Sequence, residues 1–88
     1  MPPRYYVALM SRSHVFLLER RLKNEGIPCE LTYMPREVMI DLCNMGIRLE
    51  EYILPQALAV IRRSGLPGCK VYQEIVSPEG YAYYQVPL

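Results

Sequence analysis

The sequence lacks a charge imbalance, a long hydrophobic run and any paired cysteine spacing. The charges of its ten basic and nine acidic residues nearly cancel. The chain therefore lacks the excess of positive charge that is typical of a nucleic-acid-binding protein. No apolar stretch reaches the roughly 20 residues that a membrane-spanning helix needs. We therefore expect neither a nucleic acid nor a membrane among its partners.

Cysteine is scarce, and its spacing argues against several classes of protein. The three cysteines are an odd number and form no C-x-x-C pair, which disfavours a secreted disulfide framework, a thioredoxin-type motif and a metal site. Residues 1–4 lack the apolar region of a secretion signal. We predict a reduced, cytoplasmic protein with no metal and no cofactor.

Two signatures of catalysis are also missing. The sequence contains no glycine-rich phosphate-binding loop, and no two carboxylates have a spacing typical of acid–base catalysis. We therefore predict that the protein is not an enzyme with turnover of its own.

Apolar residues are abundant for so short a chain. The 88 residues suffice for one domain, 1–88, and 51% of them are apolar, including eight tyrosines and five methionines. A single domain of this size leaves much of its surface exposed. The large number of apolar residues predicts either a homodimer or a position beside a partner domain, and we expect the homodimer.

Hydrophobic periodicity predicts five strands and two helices. A continuous apolar run predicts a central strand at 5–10, and alternation predicts strands at 29–33 and 45–49. Apolar residues three and four positions apart predict a helix from His14 to Glu25, with a stripe of Val15, Leu18 and Leu22. The same spacing predicts a second helix from Leu54 to the Gly65 cap, with a stripe of Leu54, Ala57, Leu58 and Ile61. A short helical turn is expected at 36–42. A turn at 77–80 joins strands 70–76 and 81–86 into a C-terminal β-hairpin, 70–86.

This order predicts an α+β fold of the ferredoxin-like split βαβ type, β-α-β-β-α-β, with an extra C-terminal hairpin strand. We expect the two helices to cover one face of a mainly antiparallel sheet. Some of the tyrosines would then occupy the other face, which would be the natural dimer surface.

Cys43 is the cysteine with the most distinctive surroundings, since Arg36 precedes it and Arg48 follows it. A neighbouring guanidinium or helix N-terminus would favour the reactive thiolate, whereas the charge of Asp41 would oppose it. The alternative is that Cys43 packs beside Met39 or Met45 as a small apolar residue.

For the other candidate residues, too, both a functional and a purely structural role are open. His14, the only histidine, would pair with Cys43 if the first helical turn and the Cys43 loop share one edge of the sheet; otherwise it is an exposed or capping residue. Arg36 either binds an anion or a partner carboxylate or is an ordinary surface arginine. Cys29 and Cys69 are expected to be structural.

Several motifs resemble the DUF3343 family of selenium/sulfur carrier-like domains. The resemblance covers roughly residues 5–65. Its N-terminal motifs are the strand Tyr5-Tyr6-Val7-Ala8-Leu9-Met10, a Ser-containing turn and Glu19-x-x-Leu22. Its later motifs are Gly26-Ile27-Pro28 and Pro35-Arg36-Glu37, which leads to a cysteine. Pro35, Arg36, Cys43 and Arg48 match the family motif. Asn44 replaces an expected glycine, and residues 38–42 replace a serine-rich run.

The resemblance implies a small carrier protein that holds sulfur or selenium on Cys43 and exchanges it with a donor or acceptor protein. Arg36 would be the polarising neighbour of the thiol. The alternative is a non-catalytic ferredoxin-like binding or regulatory module that acts through homo-oligomerisation, in which Cys43 is inert.

Overall fold

The computed structural model describes residues 2–40 and 43–88 of the chain. Two helices and five strands account for most of these residues, together with two short 3₁₀ turns, Arg36–Val38 and Glu51–Ile53. The helices are α1 (Arg12–Asn24) and α2 (Leu54–Ser64). The strands are β1 (Arg4–Ala8), β2 (Glu30–Tyr33), β3 (Met45–Glu50), β4 (Lys70–Ser77) and β5 (Gly80–Val86).

The five strands form one antiparallel sheet in the order β2-β3-β1-β4-β5. Its central strand, β1, is the apolar run that predicted a strand covered on both faces, and four of its five residues are buried. The predicted α+β class, with two helices and a mainly antiparallel sheet, is confirmed.

Helix α1 begins and ends at the residues that its local chemistry favours. The side chain of Ser11 caps the helix by accepting from the backbone N–H of His14 at 3.3 Å, so α1 starts two residues before the predicted His14. Gly26 follows with a φ of +72°, which glycine adopts without steric cost. The predicted apolar stripe of Val15, Leu18 and Leu22 is fully buried.

Helix α2 also begins and ends at residues that its local sequence favours. Pro55 lies in its first turn, where the missing N–H would have no helical partner, and Gly65 ends it in the left-handed conformation. Its buried residues are Ala57, Val60 and Ile61. The predicted stripe included Leu54 and Leu58, which are only partly buried against the core, whereas Val60, outside that stripe, is buried.

The sheet carries a hydrophobic cluster on each face. The larger cluster, between the sheet and the helices, contains Val7, Leu18, Ile47 and Ala57 among its buried residues. The opposite face carries a smaller cluster of Tyr6, Ala8, Met34 and Val38, with Met39, Ile40, Tyr72 and Tyr83 packed against it. Residues 34–40 therefore lie across the second face and cover part of it.

Three predicted elements are shorter in the structure. Strand β1, which was expected at 5–10, runs from Arg4 to Ala8. The helical turn expected at 36–42 is a three-residue 3₁₀ turn, Arg36–Val38, after which Met39 is extended. Asp41 and Leu42, which the prediction included, lie outside the described residues. Strand β2 begins at Glu30, one residue after the expected Cys29.

Candidate functional site

Cys43 lies two residues before the start of β3 and is 9% exposed. Its backbone N–H donates to the carbonyl of Ile40 at 3.0 Å, and the two residues form an isolated β-bridge. Its thiol donates to the carbonyl of Met45, with 3.4 Å between Sγ and O. The side chain belongs to the cluster on the helical side of the sheet. Cys43 is thus held at the end of a short turn, at the margin of the main core.

The beginning of α1 is attached to the residue that follows Cys43. Arg12, the first residue of α1, donates from Nη2 to Oδ1 of Asn44 at 3.4 Å. The backbone carbonyl of Asn44 accepts from the N–H of Met34 at 2.8 Å. Asn44 therefore joins the Cys43 turn both to the helix and to the segment after β2.

Arg12 was not among the residues that the sequence pointed to. It is separated from Asn44 by 32 positions, and it is a solvent-exposed residue at the start of α1. Only the return of the chain along β3 brings the two residues together. No periodicity or motif in the sequence carries that information.

The two arginines that the sequence did indicate lie elsewhere. Arg36 is exposed at the start of the 3₁₀ turn that follows Pro35. Arg48 is paired with Glu30 on the neighbouring strand at 2.7 Å, and this hydrogen bond raises the pKa of Arg48. Arg48 is directly opposite Tyr6 in the sheet and so shares the face of the smaller cluster, whereas Cys43 joins the cluster on the other face.

His14 lies in the first turn of α1, the turn that is tied to Asn44 through Arg12. Its backbone N–H is used by the Ser11 cap. Its side chain is half-buried, and the buried Nδ1 atom has no hydrogen-bond partner among the residues that the structure describes. The structure thus brings the His14 turn and the Cys43 turn to the same end of the molecule.

Cys29 and Cys69 have environments that suppress thiol reactivity. Both are free thiols packed against the main core. Burial raises the pKa of Cys29, and the carboxylate of Glu19 raises it further. Burial alone raises the pKa of Cys69 to about 11. At neutral pH both sulfurs are therefore protonated and poorly nucleophilic.

The second face of the sheet contains the most buried acidic side chain. Glu74 is 6% exposed and accepts a hydrogen bond from the Tyr83 hydroxyl at 2.8 Å. The ring of Tyr83 meets that of Tyr6 edge-on, with 6.4 Å between centroids. Burial, followed by the contact with Glu74, raises the pKa of Tyr83, and burial with the charge of Glu74 raises that of Tyr6. In this cluster, the Tyr83 hydroxyl supplies a hydrogen-bond donor to the buried carboxylate of Glu74.

Neither a metal centre nor a membrane span is found in the described part of the chain. Within residues 2–40 and 43–88, no three His, Cys, Asp or Glu side chains are grouped so that they could hold a metal ion. In the same residues, both helices are too short or too polar to cross a lipid bilayer.

Comparison with known proteins gives one match. A family model described as "Putative Se/S carrier protein-like" matches residues 4–73, which include the strands β1 to β3, both helices and the first half of β4. No curated protein and no solved structure matches the chain. The match is longer than the 5–65 span that the sequence motifs suggested, and it covers most of the 88 residues. The chain therefore belongs to the Se/S carrier protein-like family, DUF3343.

Proposed function

We propose that the protein carries a sulfur or selenium atom on Cys43 and exchanges it with donor and acceptor proteins. The observation that carries this proposal is the match to the carrier-like family over residues 4–73. Cys43 is the cysteine that follows the Pro35-Arg36 pair of the family motif. Cys29 and Cys69 lie outside that motif, and burial raises the pKa of each of these two thiols.

The transfer needs no cofactor. A donor persulfide, R–S–SH, presents its outer sulfur to the Cys43 thiolate. The Cys43 Sγ–S bond forms as the donor S–S bond breaks, so the donor leaves as a thiolate and Cys43 becomes a persulfide. One sulfur atom moves and no net oxidation occurs, and the reverse step delivers the sulfur to an acceptor thiol. Such a protein has no turnover of its own.

Access to Cys43 requires the turn that holds it to open. The thiol is 9% exposed, and the proton that it donates to the Met45 carbonyl is the one it must lose to become a nucleophile. Among the described residues, the contacts that hold it are the hydrogen bonds of Cys43 to Ile40 and Met45, the packing of its side chain in the main core, and the Asn44 contacts to Arg12 and Met34. We propose that a partner protein opens this turn when it docks.

The remaining candidates contact the partner in this proposal. Arg36 is exposed on the segment leading to Cys43 and is available to a partner carboxylate or to an anionic persulfide. His14 shares the end of the molecule with Cys43. Arg48, which is paired with Glu30, supports the outer strands of the sheet. The expected setting is a reducing cytoplasm.

We also propose that the fold follows the ferredoxin-like plan. Support comes from the sheet, in which β1 lies between β3 and β4 while β2 lies outside β3. In that plan β5 is an addition outside β4, and the chain forms one domain with a C-terminal hairpin.

Intact-mass analysis after incubation with a small persulfide donor tests the carrier function. We expect the wild-type protein to gain the mass of one sulfur atom, which a reductant removes. Cys43→Ser abolishes the gain, whereas the matched variants Cys29→Ser and Cys69→Ser keep it. A gain that survives in Cys43→Ser, or no gain in the folded wild type, contradicts the proposal.

A binding or regulatory module acting through homo-oligomerisation is the second candidate. The large apolar side chains exposed on the β4–β5 hairpin favour it, namely Val76, Tyr81 and Tyr84. In such a protein Cys43 is inert, so failure of the persulfide experiment together with dimerisation in solution would select this function.

A further inference from the structure

The outer edge of β5 differs from the edges that most β-sheet proteins expose. The strand has seven residues, Gly80–Val86, and is the last strand of the sheet in the described part of the chain. Residues 80–86 include no charged side chain and no proline. Natural proteins usually protect such an edge with charges, prolines or a very short strand, because a free edge pairs with other chains.

The opposite edge of the same sheet is protected in the usual way. Strand β2 has only four residues, Glu30–Tyr33, and begins with a charged side chain. Flanking prolines do not distinguish the two edges, since Pro28 and Pro35 lie outside β2 and Pro78 and Pro87 lie outside β5. The β2 edge is therefore protected by its charge and its short length, whereas β5 offers a longer edge that carries no charge.

The geometry of the β4–β5 hairpin determines which backbone groups of β5 face away from β4. Ser77 and Gly80 close a two-residue turn and form a pair, which is hydrogen-bonded in this type of hairpin. Hydrogen-bonded and non-hydrogen-bonded pairs alternate along an antiparallel ladder. The N–H and C=O groups of Tyr81, Tyr83 and Gln85 consequently point away from β4.

We propose that the β5 edge pairs with β5 of a second copy of this chain, antiparallel and centred on Tyr83. In this register Tyr83 is opposite Tyr83 of the second copy, and Tyr81 is opposite Gln85. Each of these pairs joins residues whose backbone groups face outward, so each exchanges two hydrogen bonds. The two sheets become continuous across a two-fold axis.

Charge and exposure argue for a second copy as the occupant. A strand that pairs with itself places identical residues near one another, and any charge would then repel its own copy. Residues 80–86 carry none. Tyr81 is 66% exposed and Tyr84 is 59% exposed, and both rings lose solvent contact when the edges meet. This interface is independent of whether Cys43 carries sulfur.

Sedimentation equilibrium of the full chain tests the proposal, with a matched pair of variants. Gln85→Pro removes an N–H that faces outward and leaves the ladder with β4 intact, whereas Gln85→Ala keeps that N–H. We expect the wild type to be dimeric at about 100 µM. The dissociation constant should rise at least about tenfold in Gln85→Pro and change less than about twofold in Gln85→Ala. A monomeric wild type, or equal constants for both variants, overturns the proposal.

A cross-linking experiment tests the register without proline. In a background with the three native cysteines replaced by alanine, Ala82→Cys in one copy would be opposite Tyr84→Cys in the other, in a non-hydrogen-bonded pair close enough for a disulfide. We expect a mixture of the two proteins to form a disulfide-linked dimer under mild oxidation faster than either protein alone. Equal rates for the mixture and the separate proteins would overturn the register.

Discussion

Arg12 donates a hydrogen bond to Asn44 and so connects the first turn of α1 to the turn that holds Cys43. The bond is long, 3.4 Å, and exposed. Bonds of this kind contribute about 0.5–1 kcal/mol. It is therefore suited to holding Cys43 in place at rest without preventing the turn from opening.

Asn44→Ala tests this connection. We expect alkylation of Cys43 in the native protein to become about two- to fivefold faster, because losing a hydrogen bond of this strength raises the population of open conformations. Peptide mass spectrometry measures the rate. Arg63→Ala is the control, since it breaks the ion pair with Glu25 at the opposite end of α1. An equal acceleration in both variants would show that the effect is global.

The cap of helix α1 gives a second prediction, with a control residue two positions away. Ser11→Ala removes the side-chain oxygen that accepts from His14 N–H, and we expect a loss of about 1 kcal/mol in the free energy of unfolding. Ser13→Ala changes an exposed residue inside the helix and should cost less than about 0.5 kcal/mol. Urea denaturation measures both. Comparable losses would contradict the assignment of Ser11 as the cap.

Gly46 allows close packing near the start of β3. A Cβ atom there would lie 2.5 Å from the Val7 carbonyl oxygen and would also meet the side chain of Met34. We expect Gly46→Ala to destabilise the protein by about 1–3 kcal/mol, since a backbone atom cannot move aside cheaply.

The Met34→Ala background tests which contact matters more. Removing the Met34 side chain should relieve only part of the cost of Gly46→Ala, because the Val7 oxygen remains. A double-mutant cycle in urea gives the coupling. Complete relief would show that Met34 alone excludes a larger residue.

The raised pKa of Tyr83 predicts how the free energy of unfolding changes at alkaline pH. Burial and the contact with Glu74 raise the pKa of Tyr83 above its ordinary value of 10.0, so the hydroxyl ionises more readily in the unfolded chain. Its stabilising contribution is complete below pH 10 and is lost as pH rises towards the folded-state pKa. The free energy of unfolding should therefore fall above pH 10, and Tyr83→Phe should make that fall shallower.

The variant Glu74→Gln separates the two causes of the raised Tyr83 pKa, which are burial and the contact with Glu74. It keeps a hydrogen-bond acceptor for Tyr83 but removes the charge, so the alkaline fall in stability should be intermediate between those of the wild type and Tyr83→Phe. Cys29 and Cys69, whose pKa values are also raised, contribute equally in all three proteins. Because Glu74 also raises the pKa of Tyr6, the three proteins are compared in a Tyr6→Phe background. Urea titrations between pH 8 and pH 11 measure the slopes; identical slopes would exclude Tyr83 as a source.

Local patterns in the sequence were enough for the secondary structure and the class of fold. The spacing of Val15, Leu18 and Leu22 placed the buried side of α1, and Gly65 and Gly80 marked an end and a turn that have positive φ in the structure. These features depend on neighbours within a few residues, so periodicity and turn chemistry suffice to predict them. The family motif likewise lies in one short stretch, from Pro35 to Arg48.

Tertiary structure alone decided the surroundings of Cys43. The chain returns along β3, which ties Asn44 to Arg12 and turns Arg48 to the face opposite the Cys43 cluster. Residues 34–40 cover the second face because Met34 and Val38 pack onto Tyr6 and Ala8. Contacts between residues far apart in sequence depend on how the strands order and face one another, and no local pattern encodes that arrangement.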